Sequence, residues 1–194
     1  MSILDGLPRS EAEAKKFVAL ANATAKRTLD AMSLSAKARG ITDLLPKGAS
    51  PANMCDITSQ ERDALFAEGC RLVQAGEVDK GRNWLMPVYL LDPLDARVIY
   101  VIAVTYQMQG NVGLAAKLYV LFIALNATNP EGHLRLGECL LSAREYDLAV
   151  QEFQIASDLC GRGKGDAAMA GHAARMLAHA DEKRAARRPA RGGR

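Results

Sequence analysis

The sequence predicts an all-α protein: three stacked helix hairpins with a further helix at each end. Three observations predict it. The first is a period of 34 residues, which puts Gly69, Ala103 and Gly137 in one column, and likewise Val78, Val112 and Tyr146; Gly81, Ala115 and Ala149; Leu85, Tyr119 and Phe153; and Val88, Phe122 and Ala156. Every column is small or apolar in all three rows, which marks a repeated structural unit. The second is helix-start chemistry ahead of the repeats: Ser10-Glu11-Ala12-Glu13 and Thr58-Ser59-Gln60-Glu61 both have the S/T-x-x-E form of a capping box. The third is composition. With 194 residues, 49% hydrophobic and 24% charged, the chain has room for one ordinary domain with short appendages.

The period and its residue types resemble the tetratricopeptide repeat (TPR), whose pattern runs W-x2-L-G-x2-Y, then A-x3-F, then P. From the N-terminus, residues 1–57 read as an amphipathic helix and a linker. Phe17, Leu20, Ala21, Thr24, Thr28 and Met32 share one helical face over about residues 11–37, with Lys15, Asn22, Lys26 and Asp30 opposite and Gly40 near the end. Pro46-Lys47-Gly48-Ala49-Ser50-Pro51 is turn chemistry. Residues 58–163 hold the repeats. The first, 62–95, supplies Leu65, Gly69, Leu72, Gly81, Leu85 and Pro93; the second, 96–129, supplies Ile99, Ile102, Ala103, Tyr106, Ala115 and Tyr119; the third, 130–163, supplies Leu136, Gly137, Leu140, Ala149 and Phe153. No repeat has the Trp, and Ala127 and Gly161 replace the closing Pro. Pro87, inside the second helix of the first repeat, is expected to bend or shorten it, because proline removes a backbone donor and crowds the preceding turn. Residues 164–194 read as a capping helix and a basic tail. Asp166 caps a helix carrying Met169, Ala173, Met176, Leu177 and Ala180 on one side, and Lys183 to Arg194 are expected to fray.

The small residue on each first helix lets its partner helix approach closely, and the large apolar residue on the second helix fills the space between hairpins. One hairpin cannot bury its own apolar face, so about three must stack, with the ends capped.

Several function classes are disfavoured. The longest apolar runs, Val98 to Thr105 and Leu118 to Leu125, fall short of the roughly 20 residues that cross a bilayer, and the N-terminus does not read as a secretory signal. A cytosolic protein without membrane contact is expected. Cys55, Cys70, Cys139 and Cys160 form no C-x-x-C pair and read as reduced, inert side chains. His172 and His179 lie seven apart with Asp181 and Glu182 nearby, but no third ligand sits on rigid structure and they read as surface histidines, so no metal is expected; His133 reads as a packed core imidazole. No nucleotide-binding, zincin or nucleophile-elbow motif is present, so neither enzyme activity nor a cofactor is expected. Residues 164–194 carry 8 basic and 3 acidic side chains, a run that reads as a solvated end in preference to a nucleic-acid contact.

The chemistry left is recognition. In a TPR array the first helix of each pair lines a concave face. By register that face comprises Phe66, Cys70 and Val73 in the first repeat; Arg97, Tyr100, Val104 and Gln107 in the second; and Glu131, Leu134, Glu138 and Leu141 in the third. The surface is largely apolar or aromatic and suits an extended peptide held by a few side-chain anchors. It does not suit an acidic C-terminal peptide. TPR cochaperones that bind one carry Lys and Asn at positions held here by Phe66, Cys70, Val101 and Glu131, and only Arg135 matches.

The resemblance narrows further at Val73-Gln74-Ala75-Gly76, Tyr89-Leu90-Leu91-Asp92-Pro93-Leu94-Asp95-Ala96-Arg97, Ala103-Val104-Thr105-Tyr106-Gln107-Met108-Gln109-Gly110 and Gly137-Glu138-Cys139-Leu140-Leu141, followed by Asp147-Leu148-Ala149. Over about residues 58–165 the chain resembles the class II chaperones of bacterial type III secretion translocators. The resemblance implies a chaperone in the bacterial cytosol that keeps hydrophobic, pore-forming translocators soluble by holding an extended N-terminal segment in the groove. It also implies a homodimer through the N-terminal helix and, for some members, help to a transcription activator. Phe66, Cys70 and Val73 fall where members have aromatic groove residues, so this first pocket is shaped differently. The alternative is a TPR scaffold that assembles other proteins and has no chaperone role.

Overall fold

A computed structural model describes residues 2–5 and 57–187. The amphipathic segment at 11–37, the 46–51 turn, Cys55 and residues 188–194 of the basic tail lie outside the described residues. All regular structure among the described residues is helical, in seven elements: α1 (Ser59–Gln74), α2 (Val78–Leu91), α3 (Ala96–Met108), α4 (Val112–Leu125), α5 (Pro130–Ser142), α6 (Tyr146–Gly161) and α7 (Ala167–Arg187). Each helix packs on the next, and α7 packs along α6 while also touching α5. The first six helices form three TPR hairpins, and α7 stands where the first helix of a fourth would be.

Local chemistry sets the boundaries. Thr58 accepts from Glu61 N–H, and the Glu61 carboxylate reaches back to Thr58 N–H, so the expected capping box opens α1. Asp95, Asn111 and Asn129 cap α3, α4 and α5 through their side chains, and Asp166 Oδ1 accepts from Met169 N–H at 2.7 Å. Two turns within hairpins pass through a left-handed glycine, Gly76 (φ 81°) and Gly110 (φ 75°). The third puts Arg144 there, with φ 61°. A side chain in that region costs about 1–2 kcal/mol, against about 0.5–1 kcal/mol for the greater freedom glycine loses on folding. Arg144→Gly is therefore expected to raise stability by about 0.5–1 kcal/mol, read as an increased urea midpoint.

The period has a direct packing meaning. A Cβ added at Gly137 would lie 2.6 Å from Phe153 Cε1, and one at Gly81 would lie 2.8 Å from Gly69 O and 2.9 Å from Val73 N. The first clash is with a ring and the second with backbone, which cannot move aside. The large residues of the same register, Leu85, Tyr119 and Phe153, are all fully buried. Two apolar clusters result: Val73, Leu85, Val88, Val98 and Ile102 bind the first hairpin to α3, and a larger cluster runs from Ala103 through Tyr119, Leu140 and Phe153 to Ala173 and Ala180 on α7. Tyr106 and Leu118 touch both.

Two expectations are corrected. The α2 helix runs through Pro87 to Leu91 without a break. Pro87 is exposed near the helix C-terminus, so its missing donor removes one hydrogen bond on the solvent side while the buried Leu85 and Val88 hold the helix to the core. The start of the basic tail is not frayed. Residues 183–187 continue α7, where Arg184 pairs with Asp181 at 2.5 Å and Arg187 donates to Arg144 O at 2.7 Å with its guanidinium 5.8 Å from the Tyr146 ring. Basic side chains also suit the negative end of a helix dipole.

Candidate functional site: a concave face with a polar centre

The first helices of the hairpins carry the concave face, and pairs of residues about one repeat apart bond across it. Arg97 on α3 reaches back to Asp63 on α1 at 2.9 Å, holds Asp95 at 2.7 Å, and places its guanidinium 5.2 Å from the Phe66 ring centroid. In the middle, the Tyr100 hydroxyl donates to Glu131 Oε1 and accepts from Arg135 Nε at 3.4 Å. Arg135 also pairs with Glu138 Oε2 at 3.2 Å and Glu131 Oε1 at 3.5 Å. Gln107 Nε2 donates to Glu138 Oε2 at 2.9 Å while its carbonyl oxygen accepts from the Tyr119 hydroxyl at 2.6 Å. His172 of α7 completes the network, with Nε2 3.0 Å from Glu138 Oε1.

Beneath this network lies aromatic packing. The Tyr100 ring sits 5.9 Å from Tyr119 and 5.2 Å from Phe122, tilted against both. Burial, together with the bond to the Glu131 carboxylate, pushes the Tyr100 phenol up to about 12, and burial pushes that of Tyr119 higher still. Both therefore stay neutral and can donate. Arg135 is engaged by two carboxylates of its own chain, so the one residue matching the acidic-peptide pattern is already partnered.

The residues expected on this face divide into two groups. Phe66, Cys70, Tyr100, Val104, Gln107, Glu131, Glu138 and Leu141 are partly accessible, and Arg97 is exposed. Val73 and Leu134 are buried, at 8% and 5% exposure, and belong to the core. Val73 is drawn in by the close α1–α2 approach, since it lies directly against Gly81. Leu134 is covered because α5 has neighbours on three sides, α4, α6 and α7. The face read from register omits five members of the network: Asp63, Asp95, Arg135, Tyr119 and His172. Tyr119 reads as a core filler, and only its hydroxyl reaches the face. His172 reads as a surface histidine, although the period extended once more would have placed it: Gly137 recurs 34 residues later as Gly171, which puts His172 at the register position of Glu138.

The remaining candidates are plainly placed. His133 is buried, with Nδ1 2.8 Å from Glu152 Oε2, and His179 lies 3.9 Å from Glu182. Among the described residues no group of three or more His, Cys, Asp or Glu could hold a metal ion, and no helix is long and apolar enough to cross a membrane. Burial pushes the Cys139 thiol up to about 12 and raises those of Cys70 and Cys160, away from the thiolate that reactivity requires.

No family model matches the chain, and no curated protein sequence does. Solved structures do. A T3SS complex from Aeromonas hydrophila is 24% identical with a TM-score of 0.72, covering 76% of this chain and 98% of the other. The type III secretion translocator chaperone SycD of Yersinia enterocolitica is 20% identical with a TM-score of 0.64, covering 68% and 98%. The chain has the fold of the type III secretion translocator chaperones. PcrH in complex with the chaperone binding region of PopD is 24% identical with a TM-score of 0.63 over 66% of this chain and 96% of that one. Nearly the whole length of each translocator-chaperone structure is thus matched, and the sequence resemblance over residues 58–165 and the structural one agree on the fold.

Proposed function

We propose that the protein is a type III secretion chaperone, which binds an extended N-terminal segment of a hydrophobic translocator along its concave face and keeps that client soluble and competent for export from the bacterial cytosol. The observation that carries this reading is the concave face itself. It pairs half-open aromatic and aliphatic side chains, Phe66, Tyr100, Val104 and Leu141, with hydrogen-bonding groups at its centre, and it sits on a fold shared with PcrH and SycD, which have been crystallised with translocator segments. Apolar side chains of a peptide supply affinity on such a surface, and the polar row can bond to its backbone. The role needs neither a cofactor nor a reaction.

The test is a titration of the chain with the N-terminal region of a translocator from the same host, and co-purification of the pair. Saturable one-to-one binding, with the client soluble only in the presence of the chain, is expected. A folded chain that binds no translocator segment would turn the reading toward the scaffold alternative.

The same reading includes a homodimer formed through residues 11–40. Deleting residues 1–50 is expected to reduce the particle to a monomer by light scattering, and an unchanged mass would remove that segment from the interface.

A further inference from the structure

Residues 2–5 are distant in sequence from the array yet seated on it. The Ser2 hydroxyl donates to Glu145 Oε2 and the Ile3 N–H to Glu145 Oε1, both at 2.7 Å. Ile3 and Leu4 pack against the larger core cluster. The segment is a short turn closed on itself: Leu4 N–H donates to Ser2 Oγ at 3.1 Å, Ser2 N to Asp5 Oδ2 at 3.0 Å and Asp5 N–H to Ser2 O at 3.1 Å.

The acceptor side is prepared for such a ligand. Glu145 occupies the N-cap position of α6 but, like Glu77 before α2, makes no capping bond, which leaves its carboxylate free for partners outside the helix. Its two carboxylate oxygens instead take one backbone donor and one hydroxyl donor, the charge-assisted arrangement that gives short, directional bonds. The turn that presents Glu145 is fixed by Arg144 in its left-handed conformation and by Arg187 bonding to the Arg144 carbonyl. Glu145 lies past the end of α5, after the turn at Arg144, and is not among the concave-face residues named above.

We propose that Glu145 and the apolar surface beside it form a second peptide-docking site, selective for a short turn with a hydroxyl side chain followed by two aliphatic residues, and that the chain's own residues 2–5 occupy it in the free protein. A partner segment of that chemistry binds by displacing them. The site does not depend on translocator binding.

The probe is a synthetic peptide with the sequence of residues 1–7, labelled at its C-terminus and followed by fluorescence anisotropy. It is titrated into the intact chain, a chain lacking residues 2–5, and that shortened chain with Glu145→Gln. Saturable binding to the shortened chain is expected, with affinity for the intact chain lower by about tenfold or more because the tethered segment competes at high effective concentration. Glu145→Gln should weaken the peptide by about tenfold, since one strong acceptor is lost. The intact chain carrying Ile3→Asp supplies the same comparison without truncation. No saturable binding to either opened form, or equal affinity for intact and opened chains, would overturn the proposal.

Discussion

Replacing Phe153 by alanine is expected to lower the folding stability of the chain by about 4 kcal/mol, at the upper end of what one core side chain contributes. The ring is fully buried and lies directly over Gly137, where a Cβ would meet Cε1 at 2.6 Å. On its own helix face, the residues one turn before and after it, Ala149 and Ala156, are small and already fully buried. Short side chains cannot swing in to fill the space, so the cavity persists and its surface adds to the lost transfer energy. Against a typical total of about 5–15 kcal/mol for a domain, this is a large share. Urea denaturation followed by circular dichroism measures it, and Phe153→Leu, which keeps most of the volume, should lose only about 1–1.5 kcal/mol. A loss below about 1.5 kcal/mol for the alanine variant would mean that α5 and α6 can close over the gap, contrary to the tight column of small residues between them.

That packing was legible in the sequence because the same steric demand recurs three times: a glycine or alanine on one helix faces a large residue 16 positions later on its partner, as in Gly69 with Leu85 and Gly137 with Phe153. The concave face was less legible. Register places Val73 and Leu134 on the inner side of their helices, but burial depends on which neighbours arrive, and the spacing within α1 or α5 does not say that α2 presses Gly81 onto Val73 or that α4, α6 and α7 surround α5. His172 joins the face because α7 acts as another inner helix, and its sequence lacks the second-helix pattern that would have marked it as a repeat. Glu145 was invisible for a different reason: its partners Ser2 and Ile3 are more than 140 residues away, and no periodic signal reaches across that distance. Pro87 misled because the rule against proline in a helix assumes a donor needed for packing, and here the lost donor faces solvent.

The Tyr100→Ala variant is expected to bind a translocator segment about thirtyfold more weakly, a loss of about 2 kcal/mol typical of a central aromatic anchor. Tyr100 sits at mid-array, where a peptide entering from either end passes it, and its ring rests on Tyr119 and Phe122 while remaining partly accessible. Alanine removes both the contact surface and the bonds to Glu131 and Arg135, so the two contributions need separating. Tyr100→Phe keeps the ring and loses only the hydroxyl. It should weaken binding by about fivefold or less if the ring is the anchor, since a hydrogen bond contributes roughly 1 kcal/mol net. Leu134→Glu cannot serve as a test of the groove, because at 5% exposure Leu134 is core and an unpaired carboxylate there should unfold the third hairpin. Lys117, exposed on the second helix of its hairpin, is the control, and Lys117→Ala should bind as the parent does. The decisive comparison is made at matched helicity. If Tyr100→Ala and Tyr100→Phe both keep the parental affinity while folded, the client does not cross the middle of the concave face, and the outer surface with its exposed Trp84, Leu90 and Leu94 becomes the place to look.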